Sequence, residues 1–173
     1  STQENNIQQL FFKVQDEDSK MVTLYLLLGH FKPESAIIFC KSKDVCTKVT
    51  HVLRKQKISA LEIHAELDQQ DRTLVLTKFA NKSCSMLVAT DVAARGLDIK
   101  DVQAVINYDL PPGHEMYVHR IGRTGRIGKA GLSLSLFTGK QRGLLENIAA
   151  YLKTPCVTQD LGDLNPDTSF TLQ

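Results

Sequence analysis

A chain of 173 residues with 42% hydrophobic and 23% charged residues is sized for one globular domain with a substantial core. A formal charge of +2 excludes a uniformly basic nucleic-acid binder, so any such partner must be met by basic residues gathered on one face. Cys40, Cys46, Cys84 and Cys156 form no C-x-x-C pair and have no histidine at finger spacing, which excludes a sequence-evident zinc site or disulfide framework.

Residues 7–14 form a short apolar run that predicts a strand. Met21, Leu24, Tyr25 and Leu28 then recur at i, i+3, i+4, i+7 and predict a helix that stops before Pro33. A strand is predicted at 36–40, a helix along the stripe Val45, Val49, Val52 and Leu53, and a strand at 58–63. A helix follows at about 69–80, strands at 86–89 and 102–107, a short helix at about 115–121, a strand at 132–137 and a helix at about 141–152. Periodicity then fades: residues 153–173, rich in Asp, Thr, Pro and Gly, are expected to be a polar linker or cut chain end leading to a further domain, with 1–152 as the folded unit. No charged-then-apolar leader and no apolar run of membrane-spanning length is visible, so a cytoplasmic protein without a membrane partner is expected.

Strand–helix alternation with short connections predicts a single α/β domain, a mostly parallel sheet with helices on both faces. Ligands of such sheets gather beyond the carboxyl ends of the strands, so the residues just after each apolar run are the ones to inspect. Gly139-Lys140-Gln141 does not make the glycine-rich loop that cradles nucleotide phosphates. Asp16-Glu17-Asp18 after the first strand imitates a magnesium-holding acidic strand end, but acids at the start of the next helix, favoured by its dipole, account for them.

The densest signal is Tyr117-Val118-His119-Arg120-Ile121-Gly122-Arg123-Thr124-Gly125-Arg126-Ile127-Gly128. Arg123 and Arg126 are three apart and can project from one side of a turn, while Gly122, Gly125 and Gly128 permit tight backbone near a ligand. A guanidinium bonds phosphate oxygens as a fork and can neutralise charge that develops during phosphoryl transfer. A solvated basic turn is the competing reading.

H-R-I-G-R-T-G-R closely resembles the sixth helicase motif of the DEAD-box RNA helicases. Residues 87–99, L-V-A-T-D-V-A-A-R-G-L-D-I, are similar to the fifth motif of that family. Residues 36–42 are similar to the fourth motif, and Gln69-x-x-Arg72 to the one between. Order and spacing agree from about residue 7 to residue 152. The resemblance implies the second of two RecA-like lobes, with ATP and Mg2+ held mainly by the absent first lobe and none bound tightly by this one. By it, Arg123 and Arg126 are fingers for the γ-phosphate, Asp98 binds the ATP ribose, and Arg95, His119 and Gln69 couple the lobes. Ser42, Arg72 and Thr90 would meet RNA phosphates.

Each assignment has a local alternative. Ser42 and Asp68 have the form of helix N-caps, Asp98 of a turn acid, and His119 of a packing residue. His64-Ala65-Glu66 departs from the usual His-Gly-Asp, which leaves open any approach that relied on glycine. Residues 79–83, 97–100 and 67–72 most resemble the bacterial DbpA subgroup, which implies ribosomal RNA as partner, alongside the N-terminal lobe of the same protein. A stand-alone RNA-binding module and a DNA-directed helicase lobe are the alternative functions.

Overall fold

The computed structural model describes residues 6–125, 128–153 and 156–163. Seven strands, β1 (Ile7–Lys13), β2 (Ala36–Phe39), β3 (Ala60–Ile63), β4 (Met86–Ala89), β5 (Ala104–Asn107), β6 (Gly131–Phe137) and β7 (Val157–Gln159), form one sheet in the order β3-β4-β2-β5-β6-β1-β7. Every pairing is parallel. The central strands read AIIF, MLVA and AVIN and are buried at every position, as strands covered on both faces must be.

Six helices make the crossovers: α1 (Ser19–Phe31), α2 (Lys43–Lys55), α3 (Gln69–Ala80), α4 (Asp91–Ala94), α5 (His114–Ile121) and α6 (Arg142–Leu152). From β1 to β3 the chain steps across the sheet in one direction, and from β3 to β7 it steps back. Right-handed crossovers must then put α1 and α2 on one face and α3 to α6 on the other. The core agrees. Leu10, Phe12, Ile38, Val88, Ile106 and Leu134 pack with Leu24, Leu27, Val49 and Leu53 of α1 and α2. The alternate strand residues point oppositely: Ile37, Phe39, Leu87 and Val105 meet α3 and α4, while Phe11 and Phe137 meet Tyr117, Ile121, Leu145 and Ile148 of α5 and α6.

All the elements expected from periodicity are present. Among the described residues one α-helix and one strand were not expected, beside two 3-10 turns at Gly139–Gln141 and Leu161–Asp163. The four-residue α4 is too short to carry a helical period, and β7 lies beyond the boundary expected at Leu152. Val157, Thr158 and Gln159 pair with Leu10, Phe11 and Phe12 of β1, and Leu161 packs against the main core. Part of the expected linker is therefore sheet, and backbone pairing rather than side-chain pattern puts it there. Residues 154–155 and 164–173 of that expected linker lie outside the described residues.

The acidic run before α1 is local structure. Asp16 Oδ1 accepts from the backbone N–H (2.9 Å) and hydroxyl (2.8 Å) of Ser19, and Glu17 pairs with Lys20 at 3.0 Å. At the other end of α1, Lys32 adopts the left-handed region and closes the last turn on Leu28 O, and Pro33 after it cannot continue the helix.

Candidate functional site

The chemistry-bearing residues collect along the carboxyl edge of the sheet in two groups. In the first, β2 and β4 lie side by side with Phe39 opposite Ala89, and the chain leaves them through Ser42 and Thr90. Both are N-caps. Ser42 Oγ accepts from Val45 N–H and Thr90 Oγ1 from Ala93 N–H, each at 3.3 Å, so the capping alternative for Ser42 holds and leaves further hydroxyl capacity. Asp68 caps α3 by accepting from Asp71 N–H at 2.8 Å. Gln69 is then the exposed first residue of α3 and donates to Thr73 Oγ1 at 3.4 Å. Arg72, half-buried, donates to Ala93 O at 3.2 Å and ties α3 to the helix that Thr90 begins. Beside this edge Lys43 bonds Glu66 at 2.8 Å. That hydrogen bond raises the pKa of Lys43 and lowers that of Glu66.

The second group lines an open cleft of about 580 Å³ between the segment after α4 and one side of α5. Arg95, Gly96 and Asp98 form one wall, and Met116, His119 and Arg123 contribute to the other. Gly96 has φ +79, in the left-handed region where a side chain is disfavoured, and it turns the chain so that Asp98 faces the opening. The Asp98 carboxylate is exposed and lies 2.9 Å from Lys100 Nζ. Arg123 donates through Nη1 to the carbonyls of Leu97 and Ile99 and through Nη2 to that of Ala94 at 3.3 Å. Its guanidinium thus reaches across the cleft to the loop that carries Asp98. Four residues singled out from sequence, Arg95, Asp98, His119 and Arg123, come together here. Ser42, Thr90, Arg72 and Gln69 belong to the other group, and Arg126 lies outside the described residues.

In the sequence Arg120 is one arginine of a cluster and carries no role of its own. Burial separates it from Arg123. Arg120 is 2% exposed and forks onto Asp91, with Nε to Oδ1 and Nη2 to Oδ2 both at 2.7 Å. Its Nη1 reaches Asp109 O at 2.6 Å and Asn107 Oδ1 at 3.2 Å, and its guanidinium lies 5.0 Å from the centre of the Phe39 ring. Asp109 accepts from Lys20 Nζ through Oδ1 and from Lys41 N–H through Oδ2, each at 2.8 Å. Lys20 sits in α1, fully buried. An acid directly after Thr90 and a basic residue inside an apolar helix stripe were the available signals.

Gly125 and Gly128 have φ +69 and +73, the tight backbone expected of them, and Gly122 does not. Gly122 is helical, with φ −63, so its backbone requires no glycine. Gly125 and Gly131 are the tight positions. Gly125 has φ +69, and a Cβ there would meet Ile7 Cγ1 at 2.6 Å. A Cβ on Gly131 would stand 2.5 Å from Gly125 N and 2.8 Å from Thr124 Oγ1. Thr124, fully buried, also lies 2.5 Å from Val102 O through Oγ1, while Val102 N–H bonds Arg123 O at 3.2 Å. The turn that bears Arg123 is therefore pressed onto the starts of β5 and β6. Packing against protein, not approach to a ligand, is the reason for glycine at these two positions.

Among the described residues no group of three His, Cys, Asp or Glu could hold a metal ion. What this edge offers a nucleotide is guanidinium groups and the Asp98 carboxylate, a fit for phosphate oxygens and a ribose hydroxyl. Among the described residues no helix is long and apolar enough to cross a membrane.

Comparison with known proteins places these features in context. The family described as the helicase conserved C-terminal domain matches residues 19–128. The ATP-dependent RNA helicase DbpA of Escherichia coli is 45% identical over 129 residues, 75% of this chain and 28% of that protein. The DEAD-box ATP-dependent RNA helicase CshA of Bacillus cereus is 46% identical over 143 residues, 83% of this chain and 27% of that protein. The chain thus spans less than a third of the length of these two relatives, and DbpA is one of several that are equally close. Among solved structures, the E. coli DEAD-box protein SrmB bound to regulator of ribonuclease activity A superposes with a TM-score of 0.85 at 31% identity, covering 96% of this chain and 98% of that one.

Proposed function

Because the chain belongs to the helicase conserved C-terminal domain family and is the C-terminal RecA-like lobe of a DEAD-box RNA helicase, we propose that it is the finger-bearing half of an ATP-driven RNA-remodelling motor. ATP and Mg2+ are held mainly by the first lobe. This lobe presents Arg123 and Arg126 to the γ-phosphate and the Asp98 carboxylate to the ribose, and Arg95, His119 and Gln69 meet the first lobe when it closes. Ser42, Thr90 and Arg72 grip RNA through its phosphates, a contact that reads no sequence. Closure on ATP then bends one strand, and a short duplex opens. We assign the parent protein to the cytoplasm and to large-ribosomal-subunit assembly, with ribosomal RNA as substrate, an assignment that rests on kinship with DbpA.

The observation that carries this reading is the convergence of Arg95, Asp98, His119 and Arg123, from two segments of chain, on one open cleft. Bound to loop carbonyls, the Arg123 guanidinium stands where a triphosphate on a facing lobe can draw it away, since a charged phosphate is a stronger acceptor than a neutral carbonyl. An arginine finger contributes about 10³- to 10⁵-fold in rate. In the two-lobe protein, Arg123→Ala is expected to abolish RNA-stimulated ATP hydrolysis while the lobe still folds. Near-normal turnover refutes the finger assignment.

A further inference from the structure

We infer that Asp109, with Lys20 as its buried counter-ion, is a positioning residue that keeps the RNA-facing edge and the finger-bearing edge of this lobe in register. The inference deepens the proposed function and rests on it. Asp109 lies just past β5, is 3% exposed, and belongs to none of the motifs read from the sequence. Its three oxygens serve three different elements. Oδ1 accepts from Lys20 Nζ in α1, Oδ2 from the N–H of Lys41, and the main-chain oxygen from Arg120 Nη1 in α5, at 2.8, 2.8 and 2.6 Å.

Two of these contacts, those to Lys41 and Arg120, end beside functional residues. Lys41 precedes Ser42, so the carboxylate fixes the start of the loop whose hydroxyl faces RNA. Arg120 follows His119, precedes Arg123 by three residues, and grips Asp91, the neighbour of Thr90. The chain of contacts Ser42–Lys41–Asp109–Arg120–Asp91–Thr90 therefore runs from the end of β2, past the end of β5, to the end of β4. The finger turn hangs from its middle.

Stability alone does not explain the arrangement. Burying an ammonium and a carboxylate costs desolvation that their attraction only partly returns, and well-packed apolar replacements of similar volume are often as stable or more so. Charge and hydrogen bonding instead fix direction: Oδ2 can hold the Lys41 N–H only while Lys20 holds Oδ1. Shape-matched apolar side chains would fill the same space and keep the main-chain oxygen on Arg120, but would no longer hold the Lys41 N–H. This difference makes a structural role separable from a positioning role.

The test uses the full-length two-lobe protein. The affinity for a fluorescent single-stranded RNA is measured with and without a non-hydrolysable ATP analogue, giving a coupling factor, together with kcat and the RNA concentration for half-maximal ATPase. Two variants are compared, Asp109→Asn and the apolar pair Lys20→Met/Asp109→Leu, with a thermal melt for each. The expected result is a coupling factor reduced by about tenfold and a lower RNA-stimulated kcat. RNA affinity without nucleotide should fall by less than the coupling factor does, and the apolar pair should melt at or above the wild-type temperature. Wild-type coupling in either folded variant overturns the inference, as does a loss that merely tracks the melting temperature. If the wild-type protein itself shows no nucleotide-dependent RNA binding, the proposed function fails instead, so the two failures are distinguishable.

Discussion

Replacing Gly131 by alanine tests whether the finger turn owes its position to its contact with β6. The added Cβ would stand 2.5 Å from Gly125 N and 2.8 Å from Gly125 Cα. Ordinary van der Waals contact begins at 3.4 Å, so the turn must retreat by 3.4 − 2.5, about 0.9 Å. It cannot do so freely, because Thr124 bonds Val102 and Arg123 bonds the start of β5. Overpacking of this kind costs about 1–3 kcal/mol, which in a chain of this size lowers the melting temperature by about 2–4 °C per kcal/mol. The kinetic effect should be larger than the thermal one, since a misplacement of about 1 Å at a reacting centre can cost ~10²-fold. We therefore expect Gly131→Ala in the two-lobe protein to remain folded at 25 °C and to lose about two orders of magnitude in RNA-stimulated kcat. RNA affinity should hardly change, because Ser42 and Thr90 leave β2 and β4, away from β6. An unaltered kcat in a folded Gly131→Ala protein would show that the turn's placement on β6 is irrelevant to catalysis.

Asp91→Ala strips the 2%-exposed Arg120 of its carboxylate and should destabilise the lobe by about 3–5 kcal/mol; a urea titration showing less than about 1 kcal/mol would contradict the assignment of a buried pair. Ser42→Ala should cost about 1 kcal/mol for the lost cap, whereas Ser42→Asn should restore stability; if the serine hydroxyl also serves RNA, affinity stays reduced in both, and full recovery in the asparagine variant would leave only the capping role. Burial pushes the Cys156 thiol up to about 11 and raises Cys84, and the Cys46 side chain with burial raises Cys40. At pH 8 Cys156 is then about one part in a thousand thiolate, and a thiol reagent should label the native protein slowly, with a fast full-stoichiometry reaction as the contrary outcome. These acids bind their protons more tightly when folded than the unfolded value of about 8.5. Their contribution is therefore complete below that pH and lost as pH rises toward 11, so the melting temperature should fall through that window.

The parts of the fold visible in the sequence were those with a period. Runs such as AIIF and MLVA and the α1 stripe are written in side-chain polarity, and the structure places strands and helices on them. α4 has four residues and β7 three, each shorter than one readable repeat, and β7 exists through main-chain pairing that any residue can supply. The site divided in the same way. Dense motif residues such as Arg123, Asp98 and Thr90 were legible because several unusual types stand together. Arg120 and Asp109 were not singled out, because their importance lies in burial, and a linear pattern of arginines cannot tell which one turns inward. Gly131 lies outside the glycine-rich segment, and its significance comes from the backbone of Gly125, six residues away in sequence and in van der Waals contact in space.

The short strand that follows α6 covers the hydrogen-bonding rim of β1. A polypeptide ended at Leu152 would leave the peptide groups of Leu10, Phe11 and Phe12, which now face Val157 to Gln159, open on that rim. Bare rims of this kind recruit other strands, and the first available would be the same segment on another molecule. Fragments trimmed to the boundary that hydrophobic periodicity indicates should therefore self-associate, whereas those that keep residues through Asp163 should stay monodisperse.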